Sequence, residues 1–579
     1  MTEVTKVGSE VTVNSGTGTN LGGQQITALS GGGFVVTWHV FTDLVGENFS
    51  AGIFAQMFDA SGAEVGGLLH INTETTNDQL QPAVTGLDGG GFVVTWYDQS
   101  QLLGDSSGGA IAAQIFDNTG TAVGGDFLIN TQTDNNQLDA KVTALDGGGF
   151  VVTWQDLSGT LGDSDAGSIK AQVYNNTGTA LGSEFLVNTQ TAGEQAKPTI
   201  TGLADGRFVV TWRDASGTLG DSTGTSIKAQ VFMADGSPSG SEFLVNTSTA
   251  GAQGAPVITK LGDGGFVIAW HDVGDGAVRA QRYDFTGATL SSEFSVGAST
   301  EGFNSQPAIS SLEDGGFVIT WAATDTNGFT DTFAQVFDAA GLAIGSAILV
   351  PTQTLSSQDD ASVTALTNGG FAVTWLDVSD TNVKAQVFAV NHDPVISSDG
   401  GGATGSVSVA ENTAAVTTVV AADPDAGTVL EYAITGGADA ALFDIDAVTG
   451  ALAFVAAPDF EDPTDADSDN VYDVIVTASD GTLTDTQTLA ITVTDAAENP
   501  VISSDGGAAT GAVSVAENTA AVTTVLAADP DAGTVLEYAI TGGADAALFE
   551  IDAVTGALAF VAAPDFEDPT DADSDKEVA

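Results

Sequence analysis

The chain of 579 residues has no cysteine, only 12 lysines and arginines against 76 aspartates and glutamates, and four histidines. Without cysteine there is neither a disulfide framework nor thiolate chemistry. A formal net charge of −64 repels polyphosphate and anionic membrane surfaces, so nucleic acid is excluded as a partner, while cations are attracted. No apolar run reaches the length of a transmembrane helix, and the opening MTEVTKVGSE lacks the apolar core of a secretory signal. His39, His70, His271 and His392 are scattered, with no His-Glu-x-x-His spacing, and no nucleophile elbow, P-loop or dinucleotide fingerprint is present. No stretch shows a helical period with caps at both ends. The expectation is a non-enzymatic all-β protein.

What is present is repetition. The seven tryptophans, Trp38, Trp96, Trp154, Trp212, Trp270, Trp321 and Trp375, are 58, 58, 58, 58, 51 and 54 residues apart, and each closes a phrase such as GGGFVVTW or DGGFVITW. A period of this size marks a repeat architecture. Each unit holds four strand-like runs; in the second they are Pro82 to Leu87, Gly91 to Asp98, Ala110 to Asp117 and Asp126 to Thr131, here strands a to d. In strand b, Phe92, Val94 and Trp96 share one side and Val93 and Thr95 the other, so it should be covered on both faces. The a–b turn is Asp-Gly-Gly-Gly, which supplies the positive φ of a tight hairpin.

Four antiparallel strands taken seven times is the arithmetic of a seven-bladed β-propeller, assigned here to residues 1–390. Its ends offer a check. The chain starts with an orphan d-type run, Glu10 to Asn14, and the last unit stops on a c strand, Lys384 to Val390. Joining the two completes the seventh blade and closes a ring. An open β-solenoid repeats as well, but leaves that offset unexplained. The tryptophans then read as wedges between blades rather than sugar platforms. The b–c loops carry paired acids, Asp98 and Asp105, Asp156 and Asp163, Asp214 and Asp221, Asp272 and Asp275, Asp377 and Asp380. They read either as solvated turn residues or as one cation site per blade.

After Val390 tryptophan disappears. Residues 394–469 recur at 500–575 with four substitutions, Gly402/Ala508, Ser406/Ala512, Val420/Leu526 and Asp444/Glu550. Strand-like runs at Ser406 to Ala410, Val416 to Ala422, Leu430 to Ile434, Ala451 to Phe454, Val471 to Ala478 and Thr488 to Thr494 give the pattern of a Greek-key β-sandwich. AENT at Ala410, AADPDAG at Ala421, LFDIDAVTGAL at Leu442, PDFED at Pro458, YDVIVTASDG at Tyr472 and ITVTDAAENP at Ile491 follow in an order and spacing that resembles the cadherin repeat in its bacterial form. The resemblance covers 391–499 as one module and 500–579 as a second that lacks the counterparts of its last two strands. A sandwich short of two strands exposes sheet edges and core, so a fragment of a longer chain is expected. The GGFVVTW units look like those of large bacterial surface proteins that carry such modules.

The resemblance implies calcium between successive modules. Glu411, Asp459, Glu461, Asp495 and Asn499 would face Asp529 and Asp531, and a second junction would use Asn391, Asp393, Asp423, Asp425 and Asp480. Calcium takes six to eight hard oxygens, which carboxylates from separate loops supply. The linker Asp495-Ala-Ala-Glu-Asn499 departs from the family's Asp-x-Asn-Asp-Asn, which leaves the number of ions open. The function expected is a secreted or cell-surface calcium-binding adhesion or matrix protein, exported without a signal peptide. Its partners would be other surface proteins, like molecules or glycans. A lectin-like glycan binder and an extracellular glycoside hydrolase acting through paired carboxylates are the alternatives. Near-identical repeats argue against one blade being specialised for catalysis.

Overall fold

Every b strand has apolar side chains on both faces, so no sheet of this chain can stand alone in water. The computed structural model describes residues 3–14, 21–41, 50–297, 305–324, 328–352, 356–425, 427–568 and 570. They divide into two compact units, Met1–His392 with Pro424–Gly427, and Asp393–Asp423 with Thr428–Ala579. Among the described residues there are strands and a few 3-10 turns but no α-helix.

The first unit is built of seven four-stranded antiparallel sheets. In the second sheet the strands are Gln79–Gly86, Phe92–Asp98, Ala110–Phe116 and Ala122–Leu128, hydrogen-bonded in that order. Strand a starts earlier than expected because it contains a bulge, with the register shifting between Leu80 and Ala83. The same shift recurs in the first strand of all seven sheets. Pro82 and Pro198 sit inside these shifts, where the ladder needs no N–H from them. Strand d likewise begins earlier than expected, at Ala122, with a register shift between Ala113 and Ile115 on its partner. The a–b turn needs its last glycine: Gly91 has φ +84°, and a Cβ there would lie 2.2 Å from the carbonyl oxygen of Phe116.

The seventh sheet is completed from the other end of the unit. Glu3–Thr12 pairs antiparallel with Asn382–Asn391 as its fourth strand. This strand is longer than the Glu10 to Asn14 run because pairing continues back to Glu3, opposite Asn391. Asn14 then does for this sheet what its counterparts do elsewhere. Its Oδ1 accepts from Val383 N (2.9 Å), as Asn72, Asn130, Asn188 and Asn246 accept from Ile53, Ile111, Ile169 and Ile227.

Successive sheets pack through their faces. The first strands touch in the order Leu21–Ala28, Gln79–Gly86, Gln137–Ala144, Gln195–Gly202, Gln253–Lys260, Ser305–Ser311 and Gln358–Ala365, and this last touches Leu21–Ala28 again. Each contact encloses an apolar cluster. Phe150, Val152 and Trp154 of the third sheet meet Ile111, Ala113 and Ile115 of the second, while Trp38 meets Val383, Ala385 and Val387 of the seventh. All seven tryptophans are buried. Six of them, Trp321 apart, leave Nε1 without a hydrogen-bond partner, so apolar packing alone places them. Acids on strand d latch one sheet to the one before: Thr131 N and Oγ1 donate to Glu184 (2.7 and 2.8 Å), and Thr189 donates to Glu242. Thr352 N donates to Glu10 on the N-terminal strand in the same way.

In the second unit the first module has three sheets. Thr404–Ala410, Thr484–Thr494, Val471–Ser479 and Glu431–Gly436 form one, in that order; Ala415–Thr418, Ala451–Phe454 and Phe443–Ile445 form another; Val395–Ile396 and Ala421–Ala422 pair separately. The run expected from Val416 to Ala422 is thus two strands in two sheets, divided where Val419 N turns to the Gly450 carbonyl. Tyr472, Val474, Val476, Leu489 and Ile491 pack with Leu452 and Phe454 as the core. In the second copy only Ala521–Thr524, Ala557–Phe560 and Phe549–Ile551, and the pair Val501–Ile502 and Ala527–Ala528, form ladders. Segments 510–516 and 537–542 correspond to strands of the first copy but form no ladder among the described residues, although Tyr538 N donates to the Ala553 carbonyl. Their first-copy neighbours are Val471–Ser479 and Thr484–Thr494. Ile502, Leu536, Tyr538, Ile540 and Leu558 line an open groove.

Replacing Trp212 by Ala should cost about 3–5 kcal/mol through the cavity left between two sheets, and Asn14→Ala about 1–3 kcal/mol through the stranded Val383 amide. Urea unfolding of the intact chain measures both. Leu342→Ala, at a residue 67% exposed, should change stability by less than about 0.5 kcal/mol.

Candidate metal centre

Between Lys384 and Lys576 the sequence contains no lysine or arginine, so carboxylates gathered there have no long basic side chain within the stretch to neutralise them. Four of them gather. Glu411 follows the strand Thr404–Ala410 and is 2% exposed. Its Oε2 accepts from Phe460 N and its Oε1 from Ala496 N, both at 2.9 Å, so one buried carboxylate ties the PDFED turn to the segment after Thr494. Glu461 and Asp462 donate their N–H groups to Asp459 Oδ1 at 3.0 and 3.2 Å, an Asx turn that presents the Glu461 side chain. Asp495 directly follows Thr484–Thr494. Asp531 comes from the second copy: its N–H donates to Asp529 Oδ1 (2.9 Å), its Oδ2 accepts from Glu498 N (2.8 Å), and its Oδ1 is buried with no hydrogen-bond partner.

Glu411, Glu461, Asp495 and Asp531 each place a carboxylate oxygen within 4.8 Å of the others. Their mutual repulsion bears on Glu461 and Asp495. Glu461 is raised above the ordinary carboxylate range, by loss of water first and then by Glu411, Asp495 and Asp459. Asp495 is raised in the same direction, by loss of water and then by Asp531 and Glu411. An all-oxygen, all-anionic set with an unpartnered buried oxygen suits a hard divalent cation such as calcium.

Of the residues the sequence suggested for this junction, these four come together. Asp459 and Asp529 are not in the set; Asp459 Oδ1 accepts from Glu461 N and Asp462 N, and Asp529 Oδ1 from Asp531 N. Asn499 is exposed in an extended segment. In the second copy the counterparts Glu517, Asp565 and Glu567 do converge, with Phe566 N donating to Glu517 Oε2 (3.3 Å) as Phe460 does to Glu411. For the second expected grouping, Asn391 and Asp425 belong to the first compact unit and Asp393, Asp423 and Asp480 to the second. Asn391 ends a paired strand opposite Glu3. Asp425 accepts from His392 N (2.7 Å) and lies 2.8 Å from its Nδ1, while Asp314 lies 2.7 Å from its Nε2. Bonding to Asp314 first, and to Asp425, raises the His392 ring to about 9. Asp480 accepts from Thr482 N and Leu483 N as a turn residue.

The paired acids of the b–c loops do not cluster, and eight of the ten are not solvated; Asp275 and Asp380 are exposed. Asp98, Asp105, Asp156, Asp163, Asp214, Asp221, Asp272 and Asp377 are buried, and they satisfy the protein's own donors. Asp156 and Asp214 pair with fully buried Lys170 and Lys228 at 3.0 and 2.9 Å. Asp163 and Asp221 accept from Asn188 and Asn246 at 2.9 Å. Asp275 and Asp380 pair with Arg279 and Lys384. The sequence reading missed a third carboxylate group, Asp465, Asp467 and Asp469, whose signal was the alternation Asp-Ala-Asp-Ser-Asp.

No family model matches the chain. The Cadherin EGF LAG seven-pass G-type receptor 2 of Mus musculus and that of Homo sapiens are each 32% identical to it over 223 residues, which is 37% of this chain and 7% of theirs. The chain is therefore cadherin-like over part of its length and spans about 7% of the length of these relatives. Among solved structures, a protein of unknown function from Dyadobacter fermentans DSM 18053 aligns over 67% of this chain and 99% of its own at 11% identity and a TM-score of 0.40. Human protocadherin-24 EC1-2 aligns over 30% of this chain and 80% of its own at 21% identity and a TM-score of 0.20. Neither superposition is close enough to bear on the fold.

In cation-free buffer the raised pKa values of Glu461 and Asp495 mean that the folded chain holds protons the unfolded chain has released. Stability from this source should be present below the ordinary carboxylate range and fall as pH rises through and just above it. Thermal melts in chelator should show that fall, and Glu461→Gln should flatten it and melt higher than the parent at neutral pH.

Proposed function

We propose that this chain is part of an extracellular, calcium-binding adhesion or matrix protein, secreted or held at a cell surface. Its cadherin-like modules act as spacers that calcium stiffens, and its first unit is a closed seven-bladed propeller offering a binding face to other surface proteins or to like molecules. The observation that carries this reading is the convergence of Glu411, Glu461, Asp495 and Asp531 in a stretch without lysine or arginine. Three of these acids come from the first module and one from the second, so an ion held by all four fixes one copy to the next. Binding of this kind is folding free energy for the joint. The cadherin-like similarity of part of the chain points the same way.

For the propeller, the support is the cyclic order of first-strand contacts and the N-terminal strand in the seventh sheet. Weak contacts made by identical modules would gain avidity from repetition. We prefer this reading to the glycan-binding and hydrolase alternatives because the tryptophans are buried and Asp156, Asp163, Asp214 and Asp221 are engaged with internal donors. Absence of catalysis is part of the proposal.

Calcium at about 100 times its Kd should stabilise the cadherin-like unit by about 2.7 kcal/mol, seen as a calcium-dependent rise of one thermal transition. Asp531→Asn should remove most of that rise. A parent chain whose melting is indifferent to calcium sinks the proposal. Beads coated with the chain should clump with calcium and disperse with chelator.

A further inference from the structure

A second carboxylate group lies outside the junction, in the loop between Ala451–Phe454 and Val471–Ser479. Its sequence is Asp465-Ala466-Asp467-Ser468-Asp469-Asn470, and its three acids each offer an oxygen within 4.8 Å of the others. Three exposed acids in a row would mean little, but Asp465 is not exposed. It is 5% exposed, and its Oδ1 is buried without a hydrogen-bond partner, while Oδ2 accepts from Asp469 N at 2.8 Å. A buried carboxylate oxygen with no partner is costly unless something positive meets it. No lysine or arginine lies between Lys384 and Lys576.

The spacing has a known chemical use. Acids at positions 1, 3 and 5 of a loop, with a left-handed residue at position 6 for the sharp turn, form the first half of an EF-hand-type calcium loop. Here position 6 is Asn470, at φ +63°, the non-glycine residue type that best tolerates that conformation. Its side chain helps to hold the turn by donating from Nδ2 to the Phe460 carbonyl (2.9 Å), and its Oδ1 is a further buried oxygen without a partner. The loop departs from an EF-hand at position 12, which is Val476 within a strand, so no bidentate glutamate completes it. Water would fill the remaining positions. The loop is pre-organised from behind by buried Asp439, which accepts from Ala466 N and Asp473 N at 2.8 Å each. Asp467 is raised above the ordinary carboxylate range by Asp469 first, and also by Asp465, the repulsion that a cation would relieve.

We propose that Asp465, Asp467 and Asp469 form a separate calcium site within the first cadherin-like module. It stands on residues distinct from the junction set and does not depend on that reading. The two are nevertheless linked through one residue, since Phe460 donates its N–H to Glu411 and accepts at its carbonyl from Asn470. A filled loop would therefore brace the turn that presents Glu461.

Calorimetric calcium titration of the full chain tests the site with Asp467→Asn, an exposed change that removes one charge and no backbone contact, and with Asp469→Asn. The expected result is one fewer bound ion per chain, or one class weakened at least about tenfold as ligand charge falls, with the remaining ions still bound. Glu461→Gln in the same experiment should remove a different class. Isotherms of both aspartate variants that overlay the parent's overturn the loop site, as does loss of every ion in Glu461→Gln alone. Loss only in the aspartate variants would uphold the loop and overturn the junction.

Discussion

A β-sheet with two apolar faces must be covered on both, and in the first unit only another such sheet is available to cover it. From that constraint much of the unit follows. Phe92, Val94 and Trp96 face the preceding sheet while Val93 faces the next, so each sheet needs two neighbours and an end sheet would be left with one bare face. The order of contacts returns from the seventh sheet to the first, which leaves none bare. A gap remains in the seventh sheet itself, and the strand Glu3–Thr12 fills it, pairing the outer strand with residues more than 370 positions away in sequence. Each latch from a strand-d acid to a preceding threonine adds direction to packing that apolar contact alone would leave free to slide.

The two units deal with their excess of acid in opposite ways. The first keeps the chain's few basic side chains where they matter: Lys170 and Lys228 stand across from Trp154 and Trp212 on the neighbouring strand and are each met by two buried acids. A buried charge left alone would be strongly destabilising, so lysine and acids are retained as sets. The described residues of the second unit include no lysine or arginine, and acids meet there at the module joint, in one loop and at Glu517, Asp565 and Glu567. Repulsion of that kind favours either separation or a shared divalent ion, and amide donors hold Glu411, Asp531 and Asp465 in place. The same chemical excess is thus consumed by internal pairing in one unit and left as converging carboxylates in the other.

How far this was legible depended on the range of the interaction. Strand b was readable because its alternation is local, and so was the role of the orphan N-terminal run, because its pattern Glu-x-x-x-Asn repeats in later units. The bulge in every first strand was not foreseen, since it is marked only by residues such as Gln81, Asp139 and Lys197 taking positive φ, types that do not announce it. The break at Val419 and Val420 was hidden by continuous β-branched sequence. At the carboxylate cluster, resemblance pointed to Glu411, Glu461, Asp495 and Asp531, which converge, and equally to Asp459 and Asp529, which are not in that group. All six look alike in sequence, and only the fold shows that one oxygen of Asp459 and one of Asp529 accept from an amide of their own turns. The loop acids at 98, 156 and 214 were misjudged for the opposite reason, because Asp beside Gly and Ser suggests a wet turn wherever its donors are out of view.

By itself the sequence determined the all-β character, the sevenfold repeat, the tandem modules and the acids from which a cation site would be made. All of these are set by composition and by spacings shorter than one repeat. Only the tertiary structure decided which acids are consumed by amides and lysines and which are left facing one another, because that depends on donors brought in by distant strands. An aspartate has the same charge in either place; its neighbours across the fold decide whether that charge is already answered.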